Sequence, residues 1–252
     1  MSVPLQPHSS SSELFELVEA NAGPALALCC PQLGPPSSTN GSTVVEERFQ
    51  GSINVSYDEL LTRARAVRHV LAPLLDRASF NEETPLVLLR MTRTPSLVVG
   101  LLSVLACGAA YVPIDPDHPL KHQRLIAMQS HASVALVSVP AESETDDESV
   151  VASIIQTRDT EDKLENSDDL GPLIRWIIRV DALGHVVAVD SRPLLPPPSI
   201  LSSGAPSGLA YVMFTSGSTG LPKGVLVSKL YSIVLNYDCS SSDIASRLCI
   251  VL

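Results

Sequence analysis

The sequence predicts an α/β fold in which a mainly parallel sheet is flanked by helices. Three observations support this. Short, wholly apolar segments alternate with helix-length segments in the first half of the chain. Apolar strands without an alternating polar face are typical of parallel sheets that are covered on both sides. The chain has 252 residues, 45% of them hydrophobic, which is enough to bury a sizeable core.

The first predicted elements precede this alternation. Residues 1–12 are expected to be a disordered polar lead-in, and residues 13–20 have the apolar spacing of a helix. A strand is predicted over 25–30. The segment 31–42 is rich in proline, serine, glycine and asparagine, which predicts a loop.

A longer helix is predicted after Ser56. Ser56 and Glu59 have capping-box spacing, in which the hydroxyl accepts from the amide of Glu59 and the carboxylate accepts from the amide of Ser56. Apolar residues then recur at helical spacing over 60–74. Pro73 is expected to end or kink this helix, because proline lacks the amide hydrogen and its ring clashes with the preceding turn.

Strands and helices alternate after this helix. The next predicted strands are 86–89, 111–114 and 133–139. Helices between them are predicted to begin at Pro95 and at Pro119, because proline suits the first turn of a helix. The apolar run 96–112 is close to the length of a membrane span, but glycines interrupt it. It predicts a helix, a glycine turn and a short buried strand.

An acidic segment then interrupts the pattern. Residues 142–169 contain eleven acids and two bases, so this segment carries −9 of the net charge of −10. We expect a solvated insert over 141–170 rather than an acidic interaction tail. Two further strands are predicted over 174–180 and 185–189, joined by a turn at 181–184.

Charge and cysteine usage exclude several classes of partner. Outside the acidic segment the chain is almost neutral, and it has no basic stripe that would suit a nucleic acid. The five cysteines show no CxxC or Cys/His spacing, so the sequence predicts no metal site. Reduced thiols in a cytoplasmic protein without a nucleic-acid or membrane partner are the expectation.

The most informative segment is LAYVMFTSGSTGLPKGVLV, residues 209–227. Two apolar strands flank a loop of glycines and hydroxyl residues that ends in a lysine. Glycine permits positive φ angles and close backbone approach, so successive amides can point at one phosphate. Charge-assisted donors are about twice as strong as neutral ones, so the pattern predicts a triphosphate cradle. The predicted binding residues are Thr215, Ser216, Gly217, Ser218, Thr219, Gly220 and Lys223.

Three other interpretations explain this loop less well. A Walker A loop needs GxxxxGK[ST] before a helix, whereas Pro222 precedes Lys223 here and an apolar strand follows. A serine-hydrolase elbow needs GxSxG, which neither Ser216 nor Ser218 satisfies. A flexible Gly/Ser linker explains neither the lysine nor the flanking strands. The phosphate cradle is therefore the hypothesis that we keep.

Residues 209–225 resemble the phosphate-binding signature of the adenylate-forming superfamily of AMP-binding enzymes. This superfamily includes acyl-CoA synthetases, luciferases and the amino-acid adenylation domains of nonribosomal peptide synthetases. Two further motifs occur upstream in the family's order: VSYDEL at 55–60 is similar to the "SYxEL" segment, and LACGAAYVPIDP at 105–116 is similar to "LKAGAAYVPIDP". The second motif is closer to amino-acid adenylation. The stretch after it resembles the β-alanine-activating type, acyl-CoA synthetase family member 4.

The resemblance implies that ATP, with Mg²⁺, and an amino acid or acyl acid react to give an acyl-adenylate and pyrophosphate. It implies that the loop residues named above hold the departing pyrophosphate. Tyr57, Tyr111 and Asp115 lie in matching motifs and are expected to serve packing and turns. The expected thiol acceptor is a phosphopantetheine carrier or CoA. A carrier domain or a C-terminal adenylation subdomain is the expected partner.

The resemblance also predicts the domain organisation. Residues 13–228 match the N-terminal part of an AMP-binding domain that is interrupted by the acidic insert, and 229–252 depart from the family pattern. Catalytic residues are expected downstream of Leu252, so none is assigned. Two hypotheses follow. Either the chain is the truncated N-terminal part of an adenylating enzyme, inactive alone, or it is a non-catalytic product that retains at most weak phosphate binding.

Overall fold

A larger mixed sheet and a separate two-stranded sheet form the framework of the computed structural model. The structure describes residues 24, 26–33, 49–78, 84–139, 174–191, 208–215 and 222–229. Its elements in chain order are β1 (Leu26–Leu33), β2 (Phe49–Ser56), α1 (Tyr57–Ala78), β3 (Leu86–Arg90), α2 (Pro95–Ala106), β4 (Ala110–Ile114), α3 (Leu120–Ser130), β5 (Val134–Ser138), β6 (Trp176–Val180), β7 (Val186–Ser191), β8 (Leu209–Thr215) and β9 (Lys223–Ser228).

The larger sheet has the strand order β7-β6-β5-β3-β4-β8-β9. Its five inner strands run parallel, whereas β7 and β9 are antiparallel to their neighbours at the two edges. The prediction of a mainly parallel sheet is therefore confirmed. The connection through α2 leads from β3 to β4, and the connection through α3 leads back across β3 to β5. Right-handed crossovers in opposite directions place these helices on opposite faces.

The central strands supply side chains to both faces of the sheet. In β3, Val87 and Leu89 pack in a core with α1, α2 and the two-stranded sheet, whereas Leu88 packs in a second core that includes residues of α3. In β5, Leu136 enters the first core and Val137 the second. Successive residues of a strand face opposite sides, which is why these buried strands are apolar throughout.

Helix α1 begins as predicted and ends later than predicted. The amide of Ser56 donates to Oε2 of Glu59 at 2.9 Å, and the amide of Glu59 donates to Oγ of Ser56 at 3.3 Å, which confirms the capping box. Of the two outcomes expected at Pro73, an end or a kink, the end is wrong, because α1 continues to Ala78. Leu71 and Leu75 are buried in the first core on either side of the proline. Their burial offsets a cost of about 3 kcal/mol for an interior proline.

The apolar run 96–112 forms the predicted helix, glycine turn and strand. Helix α2 ends in a Schellman motif, in which the amide of Gly108 donates to the Leu105 carbonyl at 3.0 Å and the amide of Ala109 to the Val104 carbonyl at 3.2 Å. Gly108 has a φ of 77°, a conformation that favours glycine. Within the described residues, no helix combines the length and apolar character needed to cross a bilayer.

Strands β6 and β7 form the predicted antiparallel pair around the turn at 181–184. The turn is held by Asp181, whose Oδ1 accepts hydrogen bonds from the amides of Leu183 and His185 at 2.9 and 2.8 Å. It docks on the start of α2, where the amide of Ser96 donates to the Ala182 carbonyl at 3.1 Å. The turn is thereby fixed to the helical layer of the first core.

One strand was not predicted from the sequence. Strand β2 pairs antiparallel with β1, although its sequence FQGSINVS mixes polar residues and a glycine with few apolar ones. Long-range pairing with β1 therefore outweighs its weak local preference for a strand. The predictions for 1–12, 13–20, 141–170 and the tail after Lys229 fall outside the described residues.

Candidate functional site

The candidate site lies at the open end of a β-hairpin formed by β8 and β9. In their antiparallel register Met213 is opposite Val225 and Thr215 is opposite Lys223. Oγ1 of Thr215 also donates to the Lys223 carbonyl at 3.5 Å. The predicted loop is therefore closed between these two residues, and both side chains are exposed at its mouth.

The structure brings together two of the seven predicted binding residues, Thr215 and Lys223. The other five lie outside the described residues: Ser216, Gly217, Ser218, Thr219 and Gly220. Next to the loop, Gly224 lies opposite Phe214. A Cβ atom at Gly224 would lie 3.4 Å from the Phe214 ring and 3.3 Å from Cγ1 of Val212, so glycine allows the two strands to pack closely at the mouth.

The hairpin opens at the side of the sheet where the carboxyl ends of the parallel strands lie. Strand β8 lies beside β4 in parallel register, with Tyr211 opposite Tyr111. The carboxyl ends of β3, β4 and β8 therefore lie at one edge. The chain leaves β3 and β4 toward helices on opposite faces, as at a topological switch point of an α/β sheet. Ligands of α/β proteins bind at such points, so the mouth of the hairpin lies near a position where a ligand is expected.

A buried polar pair at this same edge was missed by the sequence reasoning. Nε of Arg90, at the end of β3, donates to Oε1 of Gln123 at 3.0 Å. Nε2 of Gln123 in turn donates to the carbonyls of Pro116 and His118 at 2.9 and 2.6 Å. The two side chains are 7% and 1% exposed. This pair fixes the loop that follows β4, and no sequence motif signals it.

The three motif residues expected to serve packing and turns have such contacts in the structure. Tyr57 is buried in the first core. The ring of Tyr111 stacks on that of Tyr211, with 5.3 Å between centroids and 21° between ring planes, and burial raises the pKa of Tyr111 to about 12. Oδ1 of Asp115 accepts from the amide of Asp117 at 2.9 Å within a turn.

Comparison with known proteins establishes the family. The model of the AMP-binding enzyme family matches residues 37–248, so the chain belongs to this family. Its relatives include subunits D and C of linear gramicidin synthase from Brevibacillus parabrevis, each 32% identical over 73% and 74% of the chain. Nonribosomal peptide synthetase agiA from Aspergillus flavus is 27% identical over 80% of the chain. The chain spans 3%, 2% and 2% of these relatives.

Solved structures with a similar chain trace include an N-terminal subdomain and an acyl-CoA synthetase. The N-terminal subdomain of NpsA from Klebsiella oxytoca, in complex with 3-hydroxybenzoyl-AMSN, has 15% identity and a TM-score of 0.47. It aligns with 88% of this chain, which covers 41% of the NpsA chain. An acyl-CoA synthetase from Brucella canis has 18% identity and a TM-score of 0.48, with 90% of this chain and 35% of that chain covered.

Proposed function

We propose that the β8–β9 hairpin binds the phosphates of ATP, and that its domain converts a carboxylate into an acyl-adenylate with release of pyrophosphate. One observation carries the proposal: Thr215 and Lys223 face each other at the mouth of the glycine-rich loop, at the sheet edge where the parallel strands end. Membership of the AMP-binding family supports the reaction class.

In this mechanism the loop holds the leaving group. A carboxylate oxygen attacks the α-phosphorus, and the bond from that phosphorus to the oxygen that bridges the α- and β-phosphates breaks. Negative charge then accumulates on pyrophosphate. Backbone amides at Gly217 and Gly220, the loop hydroxyls and the ammonium group of Lys223 neutralise this charge. Catalysis of this kind consists mainly of positioning and electrostatic stabilisation.

The described hairpin fits phosphate and does not fit a metal ion. Residues 208–215 and 222–229 contain no aspartate, glutamate or histidine. Mg²⁺ prefers carboxylate and phosphate oxygens, so these residues leave the ion to the ATP phosphates and to groups outside the hairpin. Across the described residues as a whole, no group of three or more His, Cys, Asp or Glu side chains is arranged to hold a metal.

The acid is proposed to be an amino acid, because the relatives named above are peptide synthetases. A phosphopantetheine carrier is then the proposed acceptor of the acyl group, with CoA as the alternative that the acyl-CoA synthetase neighbour suggests.

We propose 13–228 as part of one AMP-binding domain with an inserted acidic segment at 141–170, followed by a divergent tail over 229–252.

Exchange of labelled pyrophosphate into ATP tests the activity. The chain would be assayed with a panel of amino acids and fatty acids, beside Lys223→Met and, as a control with the same charge change, Lys163→Met. Together with the C-terminal adenylation subdomain expected as its partner, the chain should show exchange that depends on one class of acid, is lost in Lys223→Met and is retained in Lys163→Met. Loss of a charged hydrogen-bond donor is expected to lower the exchange rate by about 10-fold or more.

A second candidate is phosphate binding without turnover. It is favoured by the absence of carboxylates from the described hairpin, which offers phosphate donors and no metal ligand. Pyrophosphate binding that depends on Lys223, without exchange for any acid, would select this candidate. Neither exchange nor binding would contradict both candidates.

A further inference from the structure

The hairpin that carries the loop has limited backbone pairing to the rest of the sheet. Between the described residues of β4 and β8, the pairing consists of one bridge, that of Tyr111 with Tyr211. By comparison, β3 and β4 pair along five residues. Apart from this bridge, side chains attach the hairpin to the sheet, because Leu209 and Val212 of β8 pack in the second core. Contacts at the base of the hairpin, the end opposite Thr215 and Lys223, add to this attachment.

Lys229 lies at this base and makes two hydrogen bonds. Its amide donates to the carbonyl of Gly208 at 2.8 Å and closes the hairpin. Its Nζ donates to the carbonyl of Gly108 at 3.3 Å, across 121 positions of sequence. Gly108 follows the last turn of α2, and a cation is favourable at the carboxyl end of a helix. The side chain of Lys229 is partly buried, and this burial lowers its pKa.

The Tyr111 and Tyr211 rings add a second contact near this base. Their stacked rings join the same two strands that share the single bridge. The charged hydrogen bond of Lys229 and the stacked rings therefore both join the lower part of the hairpin to its neighbours, in addition to the apolar packing of β8.

We propose that Lys229 is a positioning residue, which ties the base of the β8–β9 hairpin to the end of α2 and so sets the angle of the hairpin on the sheet. A strand rises about 3.3 Å per residue, so Thr215 and Lys223 at the mouth of the hairpin lie about 20 Å from its base. A rotation of about 10° at the base therefore moves this mouth by about 3 Å. The consequence of this positioning by Lys229 for ligand binding rests on the proposed function of the loop.

Amide hydrogen exchange tests the anchor without any ligand. We compare the full chain with Lys229→Met, which keeps the aliphatic stem, and with Lys229→Arg, which keeps a cationic donor. Lys229→Met is expected to accelerate exchange in β8 and β9 by about 10-fold, the value for one charged hydrogen bond, and to leave β3 and β5 unchanged. Lys229→Arg is expected to restore most of the protection.

The pattern of exchange decides the proposal. Unchanged exchange in the hairpin of Lys229→Met would overturn it. Equal acceleration in β3 and β5 would also overturn it, because that result indicates a general loss of stability. Lys163→Met provides the control for the change of charge.

Pyrophosphate binding then separates the anchor from the function of the loop. If the proposed function holds, Lys229→Met weakens pyrophosphate binding by about 10-fold, although the lysine is remote from the loop. If the unaltered chain binds no pyrophosphate, the proposed function fails while the exchange data still decide the anchor. Local acceleration of exchange together with unchanged pyrophosphate affinity would show that Lys229 does not position the loop, which also overturns the proposal.

Discussion

The central strands and β9, the outer strand of the hairpin, are both rich in apolar residues but differ in burial. Leu136 in β5 is fully buried, whereas Leu226 in β9 is 49% exposed. Met213 and Val225, which face each other across the hairpin, are also about half exposed. The fold is therefore stabilised at the centre of the sheet, and the candidate site lies on a hairpin at its edge. Changes in the hairpin can then alter binding without unfolding the chain.

Leucine truncation in the two regions gives the largest expected contrast. Leu136→Ala removes a fully buried side chain and leaves a cavity, so we expect a loss of about 2–5 kcal/mol in the free energy of unfolding. Leu226→Ala makes the same chemical change on an exposed strand and is expected to alter it by about 0.5 kcal/mol or less. Denaturant unfolding of both variants measures the difference. Equal losses would mean that β9 is part of the buried core.

Two glycines with positive φ angles give the next contrast. Gly184 has a φ of 91°, and a Cβ atom there would lie 2.7 Å from Cγ2 of Val99 in α2. Gly208 has a φ of 84°, but among the described residues other than its chain neighbours no atom lies within 4 Å of the position of a Cβ there. Gly208→Ala is expected to cost about 1 kcal/mol from backbone strain alone, and Gly184→Ala about 2 kcal/mol or more.

Thermal and denaturant unfolding of the two glycine variants provide the measurement. Each serves as the control for the other, because both substitutions add the same methyl group at a positive φ. An equal effect at the two positions would show that the turn at 181–184 is not packed on α2 as described.

The smallest expected effect is a dependence of the free energy of unfolding on pH, which arises from Asp181 in the β6–β7 turn. Burial raises the pKa of Asp181, but hydrogen bonds to its carboxylate lower this pKa by more. The donors are the amides of His185 and Leu183 and the His185 ring, whose Nδ1 lies 2.9 Å from Oδ2. The pKa of Asp181 therefore lies below its ordinary value. A depressed carboxyl pKa stabilises the fold at pH values above the unfolded pKa, and this contribution is lost as the pH falls through the folded pKa.

Asp181→Asn is therefore expected to lower stability slightly at neutral pH, by much less than Leu136→Ala, because the carboxylate is partly exposed. The difference between the aspartate and asparagine proteins should shrink below about pH 4. Unfolding midpoints at pH 7 and pH 3 test this sign. A difference that grows in acid would contradict it.

Local signals in the sequence predicted most of the fold. Ser56 and Glu59 identified the start of α1 through reciprocal hydrogen bonds three residues apart. The glycine turn after α2 was predicted because Gly108 interrupts an apolar run. In contrast, β2 and the continuation of α1 past Pro73 depend on long-range packing, which outweighs local preference and has no periodic signature.

The same distinction holds for the candidate site. The two strands that flank the loop were predicted because they are contiguous with it in sequence, whereas the pairing of Thr215 with Lys223 is known only from the structure. The contacts of Arg90 with Gln123 and of Lys229 with Gly108 join residues that are 33 and 121 positions apart. No short motif encodes either contact. Phosphate binding by the loop stays a prediction.

Titration of the chain with pyrophosphate, followed by backbone amide chemical shifts, tests the central claim most directly. The account predicts saturable shifts over 215–223, little change in β7 at the opposite edge, and an affinity about 10-fold weaker in Lys223→Met. Shifts that are absent from the loop, or a Lys223→Met variant that binds as tightly as the unaltered chain, would contradict it.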